Sequence, residues 1–188
     1  YVADSTSIEA SEWAITEFLA KFAKDSGAEQ VHVLAHSMGN RGLLRAMDRM
    51  VTHAAEYSGV KFGQIFLAAP DVDATVFNQL AAAYPRVSER TTLYIASADK
   101  ALQASTWLNG FPRAGLHPPV TIVEGIDTVY VPFANLMSTF ELDHSYFAEG
   151  GTVLNDMFDL VRTNRAPGDR QRITQKTTTT GVYWEMAP

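Results

Sequence analysis

The stretch VHVLAHSMGNRGLLRAM, residues 31–47, joins a strand pattern to a helix pattern with almost no connection between them. Residues 31–35 are mostly apolar, as in a short buried strand, and from Leu43 onward apolar residues recur at helical spacing. Because the turn between the two patterns is so short, Ser37 must lie on the turn itself. The strand and the helix then have to pack back against each other, which restricts the fold strongly.

The same alternation of strand and helix continues along the chain. The predicted elements after a first helix that ends near Gly27 are 31–35, 39–57, 64–69, 74–83, 91–98, 100–108, 120–125 and a helix from about 151. Continuous apolar strands that alternate with helices are typical of a parallel sheet covered by helices. The sequence therefore predicts an α/β fold, a three-layer sandwich with a mainly parallel sheet.

Length and composition limit the classes of partner. The 188 residues carry a formal net charge of −6, which argues against nucleic acid as a partner. No apolar run approaches the roughly 18 residues of a membrane span. The chain has no cysteine, which excludes disulfides and thiol catalysis. We expect one domain over 1–163 and a polar C-terminal tail over 164–188, which either docks on the domain through residues 182–184 or is mobile.

The turn at Ser37 has the mechanics of a nucleophile elbow. A tight strand-to-helix turn lifts the serine Oγ above the sheet, and the helix that follows points its first N–H groups at the same space, where they can stabilise an oxyanion. The pattern Ala35-His36-Ser37-Met38-Gly39 corresponds to G-x-S-x-G with Ala in place of the first Gly. The alternative is that Ser37 only caps the helix. The strand before it and the helix after it favour catalysis, with the Met38 N–H in the oxyanion hole.

A nucleophilic serine needs a base, and enzymes with this elbow place their residues in the chain order Ser, Asp or Glu, His. Of the histidines after Ser37, His53 belongs to the outward side of a helix and His117 to a proline-rich loop. His144 lies between the last predicted strand and the last helix, where a loop can bring its imidazole over the edge of the sheet. We therefore predict His144 as the base.

The acid that orients the base should follow a strand, because open α/β sheets place their sites at the carboxyl ends of strands. Asp99 comes directly after the strand TLYIASA and is the predicted acid. Asp71 is the second choice, one strand earlier. The other acidic residues near strand ends or beside the base, which are expected to cap turns and helices, are Asp73, Asp127 and Asp143.

The sequence predicts no metal and no cofactor. No H-E-x-x-H pair is present, and no glycine-rich phosphate loop occurs.

Four pieces of the chain in this order, AHSMGNRGLL, IFLAAPDVD, LYIASADKAL and HSYF, resemble an α/β-hydrolase. More closely, they resemble a bacterial α/β-hydrolase family of unknown function with an A-H-S-M-G-N elbow. The resemblance extends from the first helix to about residue 162. It implies a serine esterase or lipase-like enzyme with the triad Ser37, Asp99 and His144, and a small-molecule ester as substrate.

The resemblance also implies that strands precede the elbow, since the elbow of a full α/β-hydrolase follows the fifth of eight strands. The chain begins at Tyr1, so we expect a fragment or processed product that holds the C-terminal half of the fold. The loop that supplies a second oxyanion N–H has no counterpart, so only the Met38 N–H remains and the fragment alone can be inactive. We also expect an upstream segment or a second chain to pair with strand 31–35, since it would otherwise be an open apolar edge.

Other functions use the same residues or none of them. Acyl transfer to an acceptor other than water would use the same triad, and a non-catalytic α/β binding module would use neither the serine nor its base. The residues expected to line the substrate pocket are Trp107, Phe111, Leu136 and Met137.

Overall fold

The computed structural model describes residues 8, 10–97, 110–132 and 147–187. Their helices are α1 (Glu12–Asp25), α2 (Gly39–Thr52), α3 (Ala74–Leu80), α4 (Tyr84–Val87) and α5 (Phe147–Thr163), with 3-10 turns at Ala81–Ala83 and Pro167–Asp169. Their strands are β1 (Val33–His36), β2 (Phe62–Ala68), β3 (Ser88–Ile95), β4 (Asp127–Tyr130), β5 (Ile173–Thr178) and β6 (Gly181–Met186).

The strands form one sheet in the order β1-β2-β3-β4-β6-β5. Strands β1 to β4 and β6 are parallel neighbours, and only the outermost strand β5 pairs in the antiparallel sense. The residues at the carboxyl ends are in register, because His36 pairs with Ala68, Ala68 with Tyr94, and Ile95 with Tyr130. The segments that leave β1, β2, β3 and β4 therefore start from the same edge of the sheet.

Helices cover both faces of the sheet, as the apolar strands predict. Strand β2 is buried along all seven of its residues. One core lies on the side of α1 to α4 and includes Leu44, Phe77 and Tyr84, whereas the other lies under α5 and includes Tyr94 and Met157. The predicted α/β sandwich with a mainly parallel sheet is confirmed.

The fourth strand lies later than the sequence predicted. Residues 120–125 are not a strand, because Gly125 adopts a φ of +79° and a turn closes with a hydrogen bond from the Ile126 N–H to the Val123 carbonyl. The strand is Asp127–Tyr130, which pairs with Thr92–Ile95 of β3. The prediction of a strand at 120–125 was wrong because it relied on the apolar run at 120–123. A loop that packs on the core can be as apolar as a strand.

The polar residues near the C-terminus are structured. β5 and β6 form a hairpin, and β6 adds to the sheet beside β4. Most residues of the hairpin are exposed or half-buried, which explains their polar composition. Their polar pattern therefore marks a sheet edge that faces solvent.

β1 lies at the other edge of the sheet. Leu34, which points away from the α2 side, is 48% exposed. The expectation that a further strand pairs with this edge stays a prediction. None of the described helices combines the length and the apolar character that crossing a membrane requires.

Candidate active site

Ser37 occupies the turn from β1 to α2 in a conformation that L-residues rarely adopt. Its φ is +50°, in the left-handed region. For a residue other than glycine, such a conformation costs of the order of 1–3 kcal/mol, and it persists only where surrounding contacts determine it. The turn predicted from the sequence is therefore present, and it is strained at the serine.

Four hydrogen bonds hold the backbone of Ser37 in this conformation. Its N–H donates to the Ala68 carbonyl at 3.0 Å, and its carbonyl accepts from the N–H groups of Asn40 and Asp71, each at 3.2 Å, and from Asn40 Nδ2 at 3.1 Å. The Asn40 side chain is fully buried and also donates to the Ala68 carbonyl at 3.3 Å. The ends of β1 and β2 are thus tied together around the serine.

Met38 lies at the N-terminal end of α2, whose first residue is Gly39. The first N–H groups of a helix have no partner within the helix and carry its positive dipole end. Ser37 and Met38 are both partly exposed. Chemically, this arrangement can offer a hydroxyl and an oxyanion donor to the same ligand.

Asp71, the second choice for the acid, is almost completely buried and paired with two guanidinium groups. Arg41 Nη2 lies 3.3 Å from Asp71 Oδ2, and Arg113 Nε lies 3.2 Å from Asp71 Oδ1. Arg41 Nε also donates to the Asp71 backbone carbonyl at 2.6 Å. Both carboxylate oxygens therefore face cations of the protein, and no pattern in the sequence indicates this cluster.

Two other acidic residues near the strand ends have structural partners. Asp73 caps α3, because its Oδ1 accepts from the N–H groups of Thr75 at 2.7 Å and Val76 at 3.2 Å. Asp127 begins β4 and pairs with Arg90 at 2.6 Å, so it lies at the amino end of the strand, away from Ser37. Its expected place after the last strand was wrong because that strand begins at Asp127.

The remaining predicted site residues fall outside the described part of the chain. These are Asp99, His144, Trp107, Leu136 and Met137. They belong to two stretches that follow the carboxyl ends of β3 and β4, after Ser97 and after Pro132. Their roles stay predictions.

Phe111 and the other histidines have described positions. Phe111 is 59% exposed. His53 follows α2 and is exposed. His117 packs edge-on against Tyr130 and Tyr183, with ring centroids 4.2 Å and 5.9 Å apart. Burial lowers the pKa of His117, and the carboxylate of Glu185 opposes this shift in part.

A segment that the sequence did not single out crosses the same edge of the sheet. We call residues 112–117 the strap. Its backbone bonds to the segments after β2 and β3, through the pairs Ala74 N–H to Pro112 O, Ala114 N–H to Val72 O, Gly115 N–H to Pro70 O, Ala96 N–H to Gly115 O and His117 N–H to Ala96 O. Gly115 permits this approach, since a Cβ there would lie 2.5 Å from the carbonyl carbon of Ala69. The strap brings Arg113 to Asp71.

The described residues contain no cluster of three or more His, Asp or Glu side chains that could hold a metal ion.

Comparison with known families gives a match over most of the chain. The family model described as "Alpha/beta hydrolase of unknown function (DUF900)" matches residues 1–164. No curated protein and no solved structure matches the chain.

Proposed function

The chain belongs to this α/β-hydrolase family, and from that premise we propose that it is a serine hydrolase that cleaves carboxylic esters through an acyl-enzyme on Ser37. Membership of the family indicates hydrolase-type activity. The serine mechanism and the ester substrate are the proposal.

Each residue of the proposed mechanism has one task. Ser37 Oγ attacks the ester carbonyl carbon while the imidazole of His144 takes its proton, and the Met38 N–H binds the resulting oxyanion. The imidazolium then returns the proton to the alcohol as the C–O bond breaks, which leaves the acyl group on Ser37. Water repeats the sequence and releases the acid. The carboxylate of Asp99 keeps the imidazole in the reactive tautomer throughout.

One observation carries the proposal: the left-handed φ of Ser37 at the junction of β1 and α2. A serine that only capped the helix would have no need of this strained backbone, since N-cap residues typically adopt ordinary extended angles. Strain of this kind at a partly exposed serine supports a reactive role, because it is kept where function requires the side-chain direction.

The first test is the substitution Ser37→Ala, assayed with a p-nitrophenyl ester of a short acid. Loss of the nucleophile is expected to lower kcat by a factor on the order of 10⁶. The matched control is Ser58→Ala, which removes an exposed serine hydroxyl from the turn after α2 and should leave the rate unchanged. A Ser37→Ala protein that keeps a substantial share of the activity would remove the assignment.

The same assay separates an enzyme from a binding module. A folded, full-length protein, with the strands that the resemblance places before the elbow, would favour the module if it turned over no short-chain ester. Turnover that disappears with Ser37→Ala and persists with Ser58→Ala would favour the hydrolase.

A further inference from the structure

We infer that Asp71 is a positioning residue for Ser37, and that Arg113 holds Asp71 in place from the strap. The inference rests on the proposed function, because positioning matters only for a side chain that reacts. It gives a task to a buried carboxylate that the proposed mechanism does not use.

The contact between Asp71 and Ser37 runs through the backbone. The Asp71 N–H donates to the Ser37 carbonyl at 3.2 Å, and the Asp71 carbonyl accepts from Arg41 Nε at 2.6 Å. Both backbone polar groups of Asp71 are thus engaged, one toward the strained serine and one toward α2. Movement of Asp71 would release a hydrogen bond that helps to keep the Ser37 φ positive.

The carboxylate of Asp71 fixes where its backbone lies. Its side chain is 3% exposed, and the side chains of Arg41 and Arg113 are 14% and 5% exposed. A buried carboxylate depends on its cationic partners, because removal of one partner leaves a charge that solvent cannot reach. Loss of either guanidinium should therefore displace Asp71.

Arg113 is the remote member of the cluster. It is 42 positions after Asp71 in the sequence, and the strap places it there by bonding to Val72 and Pro70 on the same segment as Asp71. In this chain of contacts Arg113 pairs with the Asp71 carboxylate, and the Asp71 N–H donates to the Ser37 carbonyl. Its effect on Ser37 would be on orientation and not on proton transfer.

This role differs from that of a triad acid. A triad acid accepts a hydrogen bond from the imidazole of the base and sets its tautomer. The carboxylate oxygens of Asp71 instead face Arg41 and Arg113. Substitution in this cluster should therefore change the rate constant without changing the pH at which the base titrates.

The experiment compares the full chain with Arg113→Met, which removes the guanidinium and keeps a long side chain, and with Arg113→Lys, which retains the charge. For Arg113→Met we expect kcat with a p-nitrophenyl ester to fall roughly ten- to a hundredfold per folded molecule, as a misplacement of about 1 Å does elsewhere. KM should change by less than about twofold and the pH profile should keep its midpoint. Arg113→Lys should recover part of the loss.

A second measurement follows the position of the turn without using activity. Amide hydrogen exchange of the Asn40 and Asp71 N–H groups, which donate to the Ser37 carbonyl, should accelerate at least tenfold in Arg113→Met. If Arg113→Met does not fold, Arg41→Lys takes its place, because it keeps the charge but loses the Nε donor to the Asp71 carbonyl.

The matched control is Asp156→Asn, which disturbs another buried Arg–Asp pair, on the α5 side of the sheet. It should leave kcat per folded molecule unchanged, and it should accelerate the exchange of these two amides less than Arg113→Met does. The inference is overturned if Arg113→Met, or its substitute, keeps the wild-type kcat and exchange rates, or if Asp156→Asn alters both equally. A folded, full-length wild-type protein without activity would refute the proposed function, while the exchange rates would still decide the positioning.

Discussion

The protein has two buried clusters in which an aspartate pairs with arginine, and the two clusters contact different parts of the fold. In the first, Asp71 lies between Arg41 and Arg113. In the second, Asp156 of α5 pairs with Arg170 through Nε at 3.0 Å and through Nη2, and accepts from the Tyr94 hydroxyl at 2.7 Å. Burial raises the pKa of Tyr94 well above its usual value, and the protonated phenol donates this hydrogen bond.

The difference lies in what each cluster holds. Through the Asp71 N–H the first cluster reaches the carbonyl of Ser37, whereas the second ties α5 and the segment before β5 to Tyr94, near the carboxyl end of β3. A buried carboxylate needs paired donors in either place. Burial and ion pairing alone therefore do not mark a functional residue, and contact with a strained turn is the more informative sign.

The largest effect is expected from substitution of the predicted triad acid, Asp99, compared with the same substitution at Asp71. Asp99→Asn should lower activity by roughly 10⁴, because the wrong imidazole tautomer predominates, as in the serine-protease precedent. Asp71→Asn should cost far less, since Asp71 acts through its backbone and its arginine partners. Steady-state kinetics of the two variants decide the ranking. The reverse order would make Asp71 the acid and end the distinction between the two tasks.

The next effect belongs to the second cluster. Asp156→Asn should lower the free energy of unfolding by about 3 kcal/mol, because Arg170 loses its charged partner in a buried site. The effect should fall at the low end of the usual range, since Asp127 lies 3.8 Å from Arg170 Nη1. Urea unfolding measures it, with the exposed Asp159→Asn as control. An unchanged free energy of unfolding would show that this cluster does not stabilise the fold.

The smallest effect concerns His117 at the end of the strap. Because burial lowers its folded-state pKa below the usual value of about 6.5, the unfolded chain binds this proton first as the pH falls. Stability should therefore decline with falling pH below about 6.5, down to the folded-state pKa. Thermal unfolding of His117→Gln between pH 5 and 7 should show a shallower decline than the wild type. Identical slopes would contradict this contribution.

The part of the site that depends on local sequence could be predicted. Ser37 was placed on the turn because the strand pattern and the helix pattern leave it no other position, and the structure gives it a left-handed φ. The order of strands and helices followed in the same way from apolar periodicity. Both inferences need only residues that are neighbours in the chain.

The part that depends on contacts between distant residues could not be predicted. Asp71 and Arg113 meet only because the strap crosses the ends of β2 and β3, and nothing near Arg113 in the sequence indicates this. β4 was misplaced for a related reason, since pairing with Thr92–Ile95 selects the strand over the apolar run before it. The two strands of the C-terminal hairpin show no clear alternation of apolar and polar residues, because both faces of the hairpin are partly exposed. The sequence therefore did not predict them.

The most direct test of Ser37 as the nucleophile is covalent labelling with a fluorophosphonate, followed by mapping of the adduct by mass spectrometry. The reagent forms a stable bond with an activated serine Oγ. We expect one adduct on the folded protein, on the peptide that contains Ser37, and none on Ser37→Ala, while Ser58→Ala is labelled like the wild type. A folded wild-type protein that takes up no label, or takes it up at another serine, would contradict the account.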